Sequence, residues 1–188
     1  MSLEVELKYA IESETEFQTR LGRCNAREIK TEQQRDHYFN HPQRDFAESD
    51  EAFRIRMDGS KACLTYKGPK IDAETKTRRE IEVPLRDPET SLALSEEMLV
   101  CLGFRPVATV SKRRTTYEII WQQQIVTVAW DQVEGVGAFV ELELVVSEPE
   151  FEKAKACLLS LAAELELNEP IQTSYLEMLL RRDERAES

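Results

Sequence analysis

Apolar and polar residues alternate along much of this chain with a period of two, the repeat of a β-strand with unlike faces. Leu3, Val5, Leu7 and Tyr9 take turns with Glu4, Glu6 and Lys8. The alternation returns over residues 53–57, over 62–67 after an Asp58-Gly59 hairpin signal, and over 75–83. Residues 26–39 read as extended and bent once near Glu32, and 104–120 with 124–131 read as a long hairpin. Beyond a break at Gly135-Val136-Gly137, residues 138–146 are the last predicted strand. Helices are fewer. Ser13 followed by Glu16 is a capping box opening a helix over 14–22. Residues 88–102, stopped by Gly103, read as a second helix, and 150–166 and 173–182 as amphipathic ones. The expected fold is α+β but mainly β, a single domain over 1–180 with residues 181–188 as a frayed tail.

The polar faces carry the first hint of chemistry. Like charges recur at i, i+2: Glu4 with Glu6, Arg54 with Arg56, Lys112 with Arg114, Glu141 with Glu143. Like charges side by side on one face of a sheet cost stability, and a solvent-facing strand usually mixes signs. An ordinary sandwich, or a lipocalin-like barrel with an apolar lumen, would turn these pairs to water and leave them without a ligand. An eight-stranded antiparallel closed β-barrel offers the opposite arrangement, with charges in the lumen and helices covering apolar outer faces. Carboxylates inside would hold hard divalent cations, and lysines and arginines would bind phosphate oxygens. A nucleoside triphosphate or inorganic tripolyphosphate with its metal would neutralise such a lumen.

Composition narrows the setting. The 188 residues carry 25 basic and 36 acidic side chains, a net charge of −11, which argues against nucleic acid or an anionic membrane as partner. Cys24, Cys63, Cys101 and Cys157 have no metal-ligand or redox spacing and read as reduced thiols. No secretory signal or membrane-length apolar run is visible, so a cytoplasmic protein is expected.

Glu4-Val5-Glu6-Leu7-Lys8 is an ExExK sequence. After it come Asp36-His37-Tyr38-Phe39, Glu51-Ala52-Phe53-Arg54-Ile55-Arg56, and Leu64-Thr65-Tyr66-Lys67-Gly68-Pro69. Thr77-Arg78-Arg79-Glu80-Ile81-Glu82, Lys112-Arg113-Arg114, the stretch 131–143 and Ser174-Tyr175-Leu176-Glu177 complete the series. In this order, over nearly the whole chain, the set resembles the CYTH family, the triphosphate tunnel metalloenzymes. The 36–39 and 64–69 segments look most like its class IV adenylate cyclase branch.

The resemblance implies a tunnel with charged faces inward, Mg²⁺ or Mn²⁺ as cofactor, and a possible homodimer. It assigns metal binding to Glu4, Glu6, Glu141 and Glu143, and triphosphate binding to Lys8, Arg54, Arg56, Lys67, Lys112 and Arg114. Glu4, Glu6, Lys8, Asp131 and Glu141 form the expected catalytic set. Asp131, opposite in parity to Val128 and Trp130, would orient a metal-bound water or a basic residue. Arg113 should face outward, Arg78, Glu80 and Glu82 should line the lumen, and His37 reads as structural rather than as a general base. The activity implied first is conversion of ATP to cyclic AMP and pyrophosphate. A triphosphatase acting on inorganic tripolyphosphate, thiamine triphosphate or nucleotides would use the same site. A non-catalytic polyanion-binding barrel is the reading from outside enzymology, and the paired glutamates argue against it.

Overall fold

A computed structural model describes residues 2–72 and 74–187. Met1, Ala73 and Ser188, which belong to the expected domain start, connecting loop and tail, lie outside the described residues. The elements run β1 (Ser2–Ala10), α1 (Glu14–Arg23), β2 (Arg27–Asn40), β3 (Ala52–Asp58), β4 (Lys61–Lys67), β5 (Glu80–Leu85), α2 (Pro88–Cys101), β6 (Arg105–Trp121), β7 (Gln124–Val133), β8 (Gly137–Ser147), α3 (Phe151–Glu164) and α4 (Tyr175–Glu187). The eight strands form one sheet in the order β1-β8-β7-β6-β2-β3-β4-β5, with every pairing antiparallel.

Alternation decides what each face of the sheet meets. On β1, Val5 and Leu7 are buried on one side while Glu6 and Lys8 are buried on the other. The apolar face joins Ile119, Val126, Val128, Val140 and Leu142, and α1 and α3 cover it with Phe17, Leu21, Leu158, Leu161 and Leu165. A smaller cluster of Phe39, Ile55 and Leu99 seats α2 on the outer side of β2 and β3. Val110, Val133, Phe139 and Tyr175 join the end of the sheet to α4. Turn chemistry sets the long β6–β7 hairpin: Gln122 and Gln123 both take positive φ, as a two-residue loop joining twisted strands requires.

The expected closed barrel is not what forms. The sheet curls strongly into an open half-barrel: among the described residues its edge strands β1 and β5 share no ladder, and an isolated bridge joins Glu4 of β1 to Arg78, two residues ahead of β5. The reason lies in residues 75–83, which were expected to be one strand. Apart from the single Arg78 bridge, the ladder begins at Glu80, and Glu80–Leu85 pairs with β4. Thr75 and Thr77 instead bury their hydroxyls against each other at 2.6 Å, and Lys76 N–H donates to the Glu6 carbonyl at 2.9 Å. This strap crosses the seam as irregular backbone, so the strand ladder cannot close. The irregularities of β2 against β6 fall at Glu28/Lys30 and Tyr38/Phe39 rather than at the expected bend near Glu32. α4 continues through residues 181–187, which the alternation had left to a tail.

Candidate functional site

The concave face of the half-barrel encloses a cavity of about 400 Å³. Among the residues expected at the site, Glu4, Glu6, Arg54, Arg56, Lys67, Lys112, Arg114, Glu141 and Glu143 line it. Lys8 and Asp131 stand behind its wall, buried. Arg78, Glu80 and Glu82 also line it, and Arg113 is exposed on the other face, as strand parity requires. His37 places Nδ1 2.7 Å from Glu96 of α2, on the outer side of the sheet.

Two aspartates organise the cations. Asp36 on β2 faces Arg56 across the strand pair. It accepts from Arg56 Nε at 2.6 Å and Nη2 at 2.7 Å, and from Arg54 Nη1 at 3.1 Å. Burial would raise the Asp36 carboxyl, but the two arginines hold it well below the usual range. Arg54 also donates to the Tyr38 hydroxyl at 3.2 Å, while its Nε is buried without a partner. A buried guanidinium N–H with nothing to bond is what an anionic ligand would satisfy.

Asp131 on β7 does the same for the second cluster. It accepts from Lys112 Nζ at 2.9 Å, from Arg114 Nε at 2.7 Å and Nη2 at 2.6 Å, and from the Tyr175 hydroxyl at 3.0 Å. Arg114 reaches further, to Glu141 and to Glu143 at 3.5 Å. Burial, helped by Arg114, pushes the Lys112 ammonium down to about 8. Lys8, pushed by burial to about 7, donates to the Thr173 carbonyl and lies 4.3 Å from the Tyr175 ring centroid. Lys67 is paired with Glu80.

Carboxylates gather in the same cavity. One oxygen each of Glu4, Glu6 and Glu143 lies within 4.8 Å of the others. Burial drives Glu4 well above its ordinary value, and the Glu143 and Glu80 charges add to this against Lys67. Burial likewise pushes Glu143 up to about 7, with Glu141 and Glu6 adding to it and Arg114 opposing. Three carboxylate oxygens so placed are the donor set of a hard divalent cation such as Mg²⁺ or Mn²⁺. Glu141 stands apart from this trio. Against burial, Arg114, Lys112, Lys76 and Lys8 hold it well below the ordinary carboxylate range.

Some of these groups escaped the sequence reading. Asp36 was visible only as part of a motif, yet it shares parity with Tyr38 and sits in register with Arg56, so strand pairing would have exposed it. Tyr175 belonged to a predicted helix whose docking no periodicity reveals. Lys76 lies outside any regular element, and no local signal marks a loop lysine whose Nζ ends 2.6 Å from Glu6 Oε1.

The CYTH domain model matches residues 2–175. MJ0240 of Methanocaldococcus jannaschii, which carries a provisional adenylate cyclase name, is 36% identical over 179 residues, covering 94% of this chain and 98% of its own. Adenylate cyclase CyaB of Aeromonas hydrophila is 30% identical over 148 residues, or 77% of this chain and 70% of that one. The solved PH1819 protein of Pyrococcus horikoshii superposes with a TM-score of 0.84 at 38% identity, covering 95% of this chain and 99% of its own. With a family model spanning nearly every described strand and helix, and relatives alike along their length, this chain belongs to the CYTH domain family.

Proposed function

We propose that this protein is a divalent-metal-dependent adenylate cyclase, converting ATP to cyclic AMP and pyrophosphate within the half-barrel. The observation that carries the reading is one cavity lined both by a carboxylate trio, Glu4, Glu6 and Glu143, and by the cations Arg54, Arg56, Lys67, Lys112 and Arg114. A pure anion binder gains nothing from the trio. A pure metal site has no use for the cations. A metal–triphosphate complex satisfies both. The adenylate cyclase names of MJ0240 and CyaB support the choice of reaction.

In this reading Arg54 and Arg56, held by Asp36, and Lys112 and Arg114, held by Asp131, grip the phosphate oxygens in fixed orientation. The ribose 3′-hydroxyl gives up its proton to water, its oxygen bonds to the α-phosphorus, and the bond from that phosphorus to the pyrophosphate oxygen breaks. The guanidinium forks and the Lys112 ammonium meet the charge that builds on the leaving group. A bound divalent ion would supply further charge neutralisation and make the attacking oxygen easier to deprotonate. Lys8 and Asp131 act from behind the wall, Lys8 beside the Tyr175 ring and Asp131 as the anchor of Arg114.

A second reading, a triphosphatase with water as nucleophile, draws on the lining itself. Its polar groups are mostly charged, which suits phosphate oxygens. The Asn40 amide at the rim is already engaged, its Nδ2 donating to Asp45 and its Oδ1 accepting from Phe46 N–H. Incubation with ATP, and separately with tripolyphosphate, plus Mg²⁺ or Mn²⁺, separates the two. Cyclic AMP and pyrophosphate, lost in Glu4→Ala and Lys112→Ala, is the expected result. Orthophosphate without cyclic AMP would overturn the cyclase in favour of the triphosphatase.

A further inference from the structure

The strap that bridges the open seam carries two charged side chains, Lys76 and Arg78, into the cavity. Its frame is held from several sides. Lys76 N–H donates to the Glu6 carbonyl, Ile71 N–H to the Thr77 carbonyl, and the Thr75 and Thr77 hydroxyls are buried together. Lys155 of α3 holds Asp72 at 3.0 Å, and Gln172 Nε2 donates to the Glu74 carbonyl at 2.7 Å. From this frame the Lys76 ammonium reaches Glu6 Oε1 at 2.6 Å and lies 3.9 Å from Glu141 Oε1. Glu6 is one of the three carboxylates whose oxygens converge.

We infer that Lys76 is a tethered counter-cation of the metal-binding carboxylates: it holds Glu6 in the metal-free protein and cedes that carboxylate when a divalent ion binds. The inference rests on the metal-binding reading of Glu4, Glu6 and Glu143. Its physical basis is competition. A buried carboxylate needs a cation, and the ammonium at 2.6 Å supplies one. A divalent ion on the same carboxylate would sit beside a like charge in a site poorly screened by water. The ammonium then relaxes toward Glu141, the other carboxylate it already faces. Lys76 therefore lowers metal affinity while keeping the empty site from collapsing or repelling itself, and metal loading is felt by the strap across the seam.

The test is Mn²⁺ titration of wild type, Lys76→Met and Lys76→Arg by calorimetry, without triphosphate. Removing the charge should tighten Mn²⁺ binding about tenfold, and Lys76→Arg, which keeps it, should bind as wild type. Equal or weaker binding by a folded Lys76→Met would overturn the inference. Because that variant strips Glu6 of its counter-ion, its folding is checked by thermal melting. Hydrogen exchange on the wild type gives a measurement free of mutation: the amides of residues 75–78 should exchange faster once Mn²⁺ is bound, and unchanged exchange would count against the proposal. Failure of the underlying reading looks different. If wild type and Lys76→Met both ignore Mn²⁺, the metal site itself is wrong. If wild type binds, Glu6→Gln does not and Lys76→Met matches wild type, only the role of Lys76 falls.

Discussion

Asp131 takes the Arg114 guanidinium on both carboxylate oxygens, with Nε 2.7 Å from Oδ1 and Nη2 2.6 Å from Oδ2. Planar fork meets planar acceptor, which fixes orientation as well as charge. Lys112 and the Tyr175 hydroxyl share Oδ2. Asp131→Asn keeps the shape and removes the charge, leaving buried Arg114 and Lys112 with less compensation. The expected cost is about 3–5 kcal/mol of stability. A triphosphate should restore part of it by supplying the missing negative charge. Thermal unfolding with and without tripolyphosphate reads both effects, and a melting temperature equal to wild type would contradict this account.

Arg56→Lys should behave as a disruptive change. The guanidinium binds Asp36 through two nitrogens, and an ammonium is a single point donor. Triphosphate affinity is expected to fall about tenfold, corresponding to roughly 1.4 kcal/mol. Equilibrium binding of tripolyphosphate in the presence of Mg²⁺ checks it.

Metal affinity should rise with pH across neutrality. In the metal-free protein burial lifts Glu143 to about 7, so below neutrality it holds a proton that a metal must displace, and the upward shift of Glu4, also from burial, acts in the same direction. Mn²⁺ binding is therefore expected to release protons and to tighten from pH 6 to pH 8. Calorimetry in two buffers of different ionisation enthalpy measures the protons directly. Release of none at pH 6 would show that the carboxylates are already ionised.

Tyr175 offers a graded pair of variants. Tyr175→Phe loses the bond to Asp131 but keeps the ring 4.3 Å from Lys8 Nζ and 5.1 Å from Lys112 Nζ. It should cost about 1 kcal/mol. Tyr175→Ala also empties the contact with Phe139 and should cost about 3–5 kcal/mol, the scale of a buried aromatic truncation. Chemical denaturation of both variants ranks them, and equal losses would show that the ring contributes nothing beyond the hydroxyl.

Much of the fold was legible because its strands have unlike faces. On β1 the odd residues Val5 and Leu7 meet α3 and the even residues Glu6 and Lys8 turn to the interior; alternation predicts the two unlike faces, and the like-charge pairs with the family resemblance predict which one turns inward. The inward placement of Arg54 with Arg56 and of Lys112 with Arg114, and the outward placement of Arg113, follow from the same parity. Residues 75–79 broke the rule. Their polar–apolar rhythm suits a strand, but Thr75 and Thr77 satisfy each other's hydroxyls instead of joining a ladder.

The sequence by itself determined which residues share a face, where the chain turns and that like charges pair at i, i+2 on one face, because these properties repeat with the period of the backbone. Only the tertiary structure decided which charges meet. Glu141 went to Arg114 and away from the carboxylate trio, Lys8 was covered by Tyr175, and Lys76 entered from a strap to claim Glu6. Those partnerships join residues up to 167 positions apart, as Lys8 and Tyr175 are. Sheet curvature and strap docking set them, and no local pattern encodes either.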